Sequence, residues 1–137
     1  MNAAGHDLAY SVLFGGSAVG AYDQFASAIA LDTSNEAYIA GETNASDFPT
    51  KGDPSQPTCP NNCNATQGFV TKFTCDGKDL TYSSFLGGDT GNATEALGIA
   101  VDQVGDAYLT GQTETIDFPV TPAPFNLLTA GVTAMLS

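Results

Sequence analysis

Two stretches of this chain are copies of each other, and that constrains its fold more than any other feature. Leu8-Ala9-Tyr10-Ser11-Val12-Leu13-Phe14-Gly15-Gly16 returns 72 residues later as Leu80-Thr81-Tyr82-Ser83-Ser84-Phe85-Leu86-Gly87-Gly88. The string from Ala28 to Pro49 returns 70 residues later, from Gly98 to Pro119. Within it Ile29-Ala30-Leu31-Asp32 matches Ile99-Ala100-Val101-Asp102, and Ala37-Tyr38-Ile39-Ala40-Gly41-Glu42-Thr43 matches Ala107-Tyr108-Leu109-Thr110-Gly111-Gln112-Thr113. Asp47-Phe48-Pro49 matches Asp117-Phe118-Pro119. The length difference falls in the Gly-rich loop between the two strings, where a change of length disturbs least.

The repeated unit reads as strands. Phe69, Thr71 and Phe73 alternate with Val70 and Lys72, and Tyr82, Ser84 and Leu86 alternate with Phe85, the two-residue period of a β-strand. No segment carries a helical period over eleven residues. Asp32-Thr33-Ser34-Asn35-Glu36 and its copy Asp102-Gln103-Val104-Gly105-Asp106 place Asn35 and Gly105 where a hairpin needs positive φ. Cys75-Asp76-Gly77-Lys78 supplies an Asp-Gly turn. The expected unit is a meander of four strands at 28–32, 37–43, 68–74 and 79–86.

An antiparallel four-stranded meander repeated in tandem is the blade of a β-propeller, in which each blade leans on its neighbours. Small residues at Ala28, Ala30, Gly98 and Ala100 suit an innermost strand near a crowded axis, and Phe48 and Phe118 suit wedges between blades. The ordered motifs Tyr-Ser-x-x-x-Gly-Gly, Ile-Ala-x-Asp, Ala-Tyr-x-x-Gly-x-Thr, Asp-Phe-Pro and Phe-Val-x-Lys-Phe resemble the SBBP-type β-propeller repeat over residues 8 to about 119. The resemblance implies a piece of a large bacterial secreted or cell-surface protein. The expected fold class is all-β: an open fragment holding fewer than two full blades. Residues 1–16 would be the closing strand of a preceding blade, 28–88 one complete blade, and 97–137 a partial second blade. Its tail is degenerate, with one strand over Val132 to Leu136. Such a fragment exposes edges and faces that favour a partner.

Charge narrows the partners. The net charge is -12, from fifteen acidic residues set against three lysines and no arginine. Phosphate neutralisation and polybasic membrane attachment both need clustered cations, so neither nucleic acid nor a membrane surface is expected. No apolar run reaches the length of a membrane span. Met1 to Asp7 has neither the basic start nor the apolar run of a secretory signal, so the chain is expected to be cytosolic or a fragment whose signal lies elsewhere.

Cys59, Cys63 and Cys75 are an odd count. Zinc needs about four ligands, and His6 is the one other soft candidate. The strand leading to Cys75 would hold it about 20 Å from the preceding loop, whereas a bridge needs Cα atoms within about 7 Å. A disulfide between Cys59 and Cys63 is therefore expected, with three free thiols in a reducing compartment as the alternative and the redox state of Cys75 open.

Catalytic chemistry finds little footing. The Gly-rich stretches after Phe14 and Leu86 lead into no helix and contain no lysine, so they read as connections and not phosphate loops. A nucleophile needs a base, and His6 lies in a terminus prone to fraying. Asp32 with Asp102, or Asp47 with Asp117, are possible carboxylate pairs for glycoside hydrolysis, yet each recurs with the repeat as turn-forming aspartates do. Asp32, Asp102 and Asp106 are weak calcium candidates without the spacing of a dedicated loop. Tyr10, Tyr38, Tyr82 and Tyr108 read as packing residues first and a sugar- or peptide-binding surface second. Three Asn-x-Ser/Thr sequons, at Asn44, Asn64 and Asn92, fall in loops.

The reading that follows is a non-enzymatic structural or interaction module with no cofactor, meeting other blades, protein partners or glycans. A lectin-like propeller that binds carbohydrate or calcium is the alternative, and a secreted glycoside hydrolase comes third.

Overall fold

The computed structural model describes residues 4–17, 24–120 and 131–136. These residues build two antiparallel sheets. Sheet 1 is a meander of β1 (Gln24–Leu31), β2 (Ala37–Thr43), β3 (Gln67–Phe73) and β4 (Leu80–Leu86), in that order. Sheet 2 has β5 (Gly91–Val101), β6 (Ala107–Thr115) and β7 (Gly131–Leu136). The all-β meander fold expected from the repeat is therefore present, and it is not closed into a ring. Sheet 2 starts at Gly91 where the repeat string suggested 97, and β1 starts at Gln24 where it suggested 28.

Both late readings have one cause. The β1–β2 register shifts between Ala26 and Ala28, and the β5–β6 register shifts between Ala96 and Gly98. A bulge of one extra residue breaks the alternation on which strand reading depends. It also explains a repeated glycine. At Gly41 an added methyl would overlap the carbonyl oxygen of Phe25, and at Gly111 it would overlap that of Glu95. The bulged strand pushes its backbone into the space a Cβ would fill, so the Gly of Ala-Tyr-x-x-Gly-x-Thr belongs to the bulge facing it.

The hairpins form as their turn residues dictate. Asp32 accepts the Ser34 and Glu36 N–H groups on Oδ1 at 2.8 and 3.0 Å, and Asp102 accepts those of Val104 and Asp106 at 2.9 Å each. Asn35 sits at φ 61° and Gly105 at φ 94°. Such side-chain acceptance of nearby N–H groups is the Asx-turn, and positive φ completes the reversal. At the β3–β4 turn Gly77 has φ 67° and donates its N–H to the Thr74 carbonyl at 2.8 Å.

Neighbouring residues on a strand face opposite ways, so sheet 1 has two apolar faces. On its front face Tyr38, Ala40, Val70 and Leu86 are buried against Ala96, Ala107 and Leu109 of sheet 2. On its back face Phe48, Phe69 and Phe85 form a second core, which Phe14 joins. The Phe14 ring meets those of Phe48 at 4.9 Å and Phe73 at 5.2 Å, edge to face, a geometry aromatic rings favour. Phe48 thus packs on its own sheet and under the 8–14 segment. Residues 8–14 form no strand within the described residues. A strand needs a neighbour's backbone, and none of the described strand pairings includes this segment.

Candidate functional site

The repeat allows each residue to be compared with its copy in a different environment. Tyr38 is fully buried, at 0% exposure, and its hydroxyl donates to the Gly105 carbonyl in the turn of sheet 2 at 3.0 Å. Tyr108, its copy, is 45% exposed and donates to its own Asp102 at 3.2 Å. Ala40 is buried, whereas its copy Thr110 is exposed. Sheet 2 closes the front face of sheet 1, and nothing described closes the front face of sheet 2.

The back face of sheet 1 is half closed. Residues 8–14 copy β4, so Tyr10 corresponds to Tyr82 and Phe14 to Leu86. Leu86 packs across the sheet interface, and Phe14 packs on the back face of sheet 1. The segment therefore lies where the outermost strand of a preceding sheet would lie. Beside it an open groove of about 140 Å³ is lined by Tyr10, Val12, Ile29, Ala37, Ile39 and Phe73. Ile29 is 65% exposed there, while its copy Ile99 packs into the interface core.

Asp47 and Asp117 fasten the ends of these elements. Asp47 accepts the Ser17 N–H on both oxygens at 2.9 Å, and Asp117 accepts the Asp89 and Thr90 N–H groups at 3.1 Å each. Their recurrence with the repeat suggests turn-forming aspartates, but both act at longer range. They clamp the Gly-Gly connection about 30 residues upstream, and the paired recurrence of Gly-Gly and Asp-Phe-Pro was the available signal.

One ionic cluster sits at the turn end of sheet 1. Lys72 Nζ lies 3.0 Å from Asp32 Oδ2 and 2.7 Å from Glu36 Oε2, and 4.7 Å from the Tyr38 ring centre. Burial opposes the Asp32 charge most strongly of any single influence. The Glu36 N–H, Lys72 and the Ser34 N–H together outweigh it and hold the carboxyl below its ordinary 3.8. Burial also works against the Lys72 charge, but Glu36, Tyr38 and Asp32 prevail and raise it above 10.5. At the same register in sheet 2, Tyr108 faces Leu136, so the second hairpin has no such cation. There the Asp106 N–H contributes most to holding Asp102 below 3.8, with burial opposing it.

The sign of the pH dependence follows. A depressed carboxylate contributes stability that is complete above its unfolded pKa and is lost as pH falls through the folded value; a raised lysine contributes below its unfolded pKa and loses it as pH rises through the folded one. Lys72→Met should therefore lower the melting temperature at neutral pH, and the gap to wild type should shrink as pH drops below about 3.8. Equal gaps at pH 7 and pH 3 would count against the pairing.

Of the calcium candidates, the Asp32 and Asp102 carboxylates are engaged in turns. Asp32 serves its turn and Lys72, and Asp102 serves its turn and Tyr108. Among the described residues no three His, Cys, Asp or Glu side chains gather as a metal site. Cys59 and Cys63 are bridged, with Cα atoms 5.5 Å apart, and Cys75 is free and exposed. The bridge closes a turn in which Asn61, Asn62 and Cys63 all have positive φ, a conformation that disfavours side chains. The Asp89 carboxylate holds that turn through the Asn61 N–H at 2.7 Å.

Residues 9–49 match the family model described as SBBP, a beta-propeller repeat, which confirms the resemblance carried by the motifs. The matched stretch runs from the unpaired segment through β1 and β2 to Asp-Phe-Pro, less than half of the chain. No curated protein matches the chain.

Proposed function

We propose that this chain is a non-enzymatic structural and interaction module, part of an extracellular bacterial β-propeller, whose open sheet faces and loops receive protein partners. The observation that carries the reading is the pair Tyr38 and Tyr108: one residue of one motif, sealed where a next sheet stands and open where none does. The apolar back face of sheet 1 is likewise half covered, with Ile29 65% exposed, and uncovered apolar surface of this kind marks contact sites. The Cys59–Cys63 bridge supports the extracellular part, since such bonds persist in oxidising compartments.

The test is a chain lengthened by one more copy of residues 24–90 after Leu136. The added sheet should stack on sheet 2, so Tyr108 should become protected from hydroxyl-radical footprinting and the whole should melt in one transition at a higher temperature. An added unit that melts separately and leaves Tyr108 reactive would overturn the reading.

A further inference from the structure

We propose that Lys72 and Asp32 join in a covalent amide: the Lys72 amine displaces one oxygen of the Asp32 carboxyl as water, with Glu36 moving the protons. The bond lies within sheet 1, so it stands or falls apart from the stacking reading above. Three mostly buried side chains meet at the hairpin end of that sheet. Lys72 Nζ lies 3.0 Å from Asp32 Oδ2 and 2.7 Å from Glu36 Oε2, and the Lys72, Asp32 and Glu36 side chains are 13%, 6% and 24% exposed. Lys72 stands opposite Tyr38 of β2 and Tyr82 of β4, and the buried Tyr38 ring flanks its ammonium group at 4.7 Å.

The Asp32 carboxyl is held as an acyl group ready for attack. Its Oδ1 accepts the Ser34 and Glu36 N–H groups at 2.8 and 3.0 Å, and its Oδ2 faces the amine. Two backbone N–H groups on one oxygen are the donors that an oxyanion needs when a carbonyl carbon becomes tetrahedral. The turn fixes them, because the Asp32 N–H donates to the Glu36 carbonyl and the Asn35 N–H to the Asp32 carbonyl. The base is also placed, since Glu36 Oε2 is within hydrogen-bond reach of the proton it has to take. Nucleophile, base and oxyanion donors converge on Asp32 Cγ, and well-oriented groups in one molecule react at effective concentrations of about 10⁵–10⁸ M.

The step balances without a co-reactant. The ammonium group gives one proton to Glu36, which passes it to Oδ2, and the freed nitrogen lone pair attacks Asp32 Cγ. The carbonyl electron pair moves onto Oδ1 against the two N–H groups. A second proton leaves the nitrogen by the same route, Oδ2 departs as water, the Oδ1 pair restores the carbonyl, and Glu36 is a carboxylate again. One C–N bond forms and one C–O bond breaks, and a positive and a negative charge disappear together. Burial opposes the charge of both Asp32 and Lys72 more than any other single influence, so loss of the pair removes that penalty. Before reaction the partners keep both groups charged, which makes the step slow, but it has to occur only once per chain. Sheet 2 carries the control. Asp102 has the same pair of N–H donors, yet Leu136 stands opposite Tyr108 where Lys72 stands opposite Tyr38, so one link per chain is expected.

Mass spectrometry of the intact wild-type chain, aged at neutral pH and then reduced and denatured, tests this. Wild type should be lighter than its sequence by one water, whereas Lys72→Arg and Glu36→Gln should keep the full mass and the wild-type circular dichroism. Linked chains have neither group left to titrate, so the pH-dependent gap expected for Lys72→Met holds for chains that still have the full mass. Trypsin locates the link. The lysines are at 51, 72 and 78; an amide on Lys72 blocks cleavage there, and fragment 1–51 should emerge joined through Asp32 to fragment 52–78. This wild-type digest decides the matter even if a variant fails to fold. Wild type at the full sequence mass overturns the inference. So does loss of one water in chains that release fragment 1–51 alone, as imide closure at Asp76-Gly77 would give, and so does a Glu36→Gln chain that links as fast as wild type.

Discussion

Tyr38→Ala is expected to destabilise the protein by about 3–5 kcal/mol, the usual loss for a buried aromatic cut back to alanine, while Tyr108→Ala, which gives up a half-exposed ring and one hydrogen bond to Asp102, costs about 1 kcal/mol or less. The two residues hold the same place in the same motif, so intrinsic strand preference cancels in the comparison. What differs is the neighbour. Tyr38 loses its packing against sheet 2 and strands the Gly105 carbonyl, and Tyr108 has no such contact to lose. Tyr38→Phe, which removes only the hydroxyl, should cost about 1 kcal/mol. Urea unfolding of the three variants measures all of this, and equal losses at positions 38 and 108 would mean that sheet 2 does not seal the front of sheet 1.

Gly41→Ala is expected to destabilise by roughly 3 kcal/mol, at the upper end for overpacking, because the obstruction is the backbone carbonyl of Phe25 and not a side chain that can rotate away. Gly111→Ala meets the Glu95 carbonyl in the same manner, but among the described residues sheet 2 has one strand fewer and yields more easily, so its loss should be smaller. Neither glycine has positive φ among the described backbone angles, so φ strain plays no part. Full stability in Gly41→Ala would mean that the bulge is absent in solution.

Where local chemistry decides, the sequence was readable. Asp32 and Asp102 bind the N–H groups two and four residues on, Asn35 and Gly105 supply the positive φ, and Asp-Gly turns β3 into β4; each device works within a few residues. The alternation of Phe69 to Phe73 sorted that strand onto its two faces. The starts of β1 and β5 were not readable, because a bulge at Ala26 or Ala96 adds a residue and erases the period. Nor was the clamping by Asp47 and Asp117, whose N–H partners lie far upstream.

The open faces were the least legible part. Tyr38 and Tyr108 are the same letter in the same motif, and only the presence or absence of a next sheet gives them opposite surroundings. Leu13 and Phe85 repeat that lesson: both are apolar strand residues, and burial is decided by which backbone lies alongside.

The stretch that matches the repeat, residues 9–49, is out of step with the sheets: it opens with the unpaired copy of β4 and ends after β1 and β2. Joints between sequence units therefore never coincide with gaps between sheets, as in brickwork laid with staggered courses. Such an array can gain or lose whole units during duplication without a ragged seam, since every cut leaves a half-built sheet on one side and its missing piece on the other.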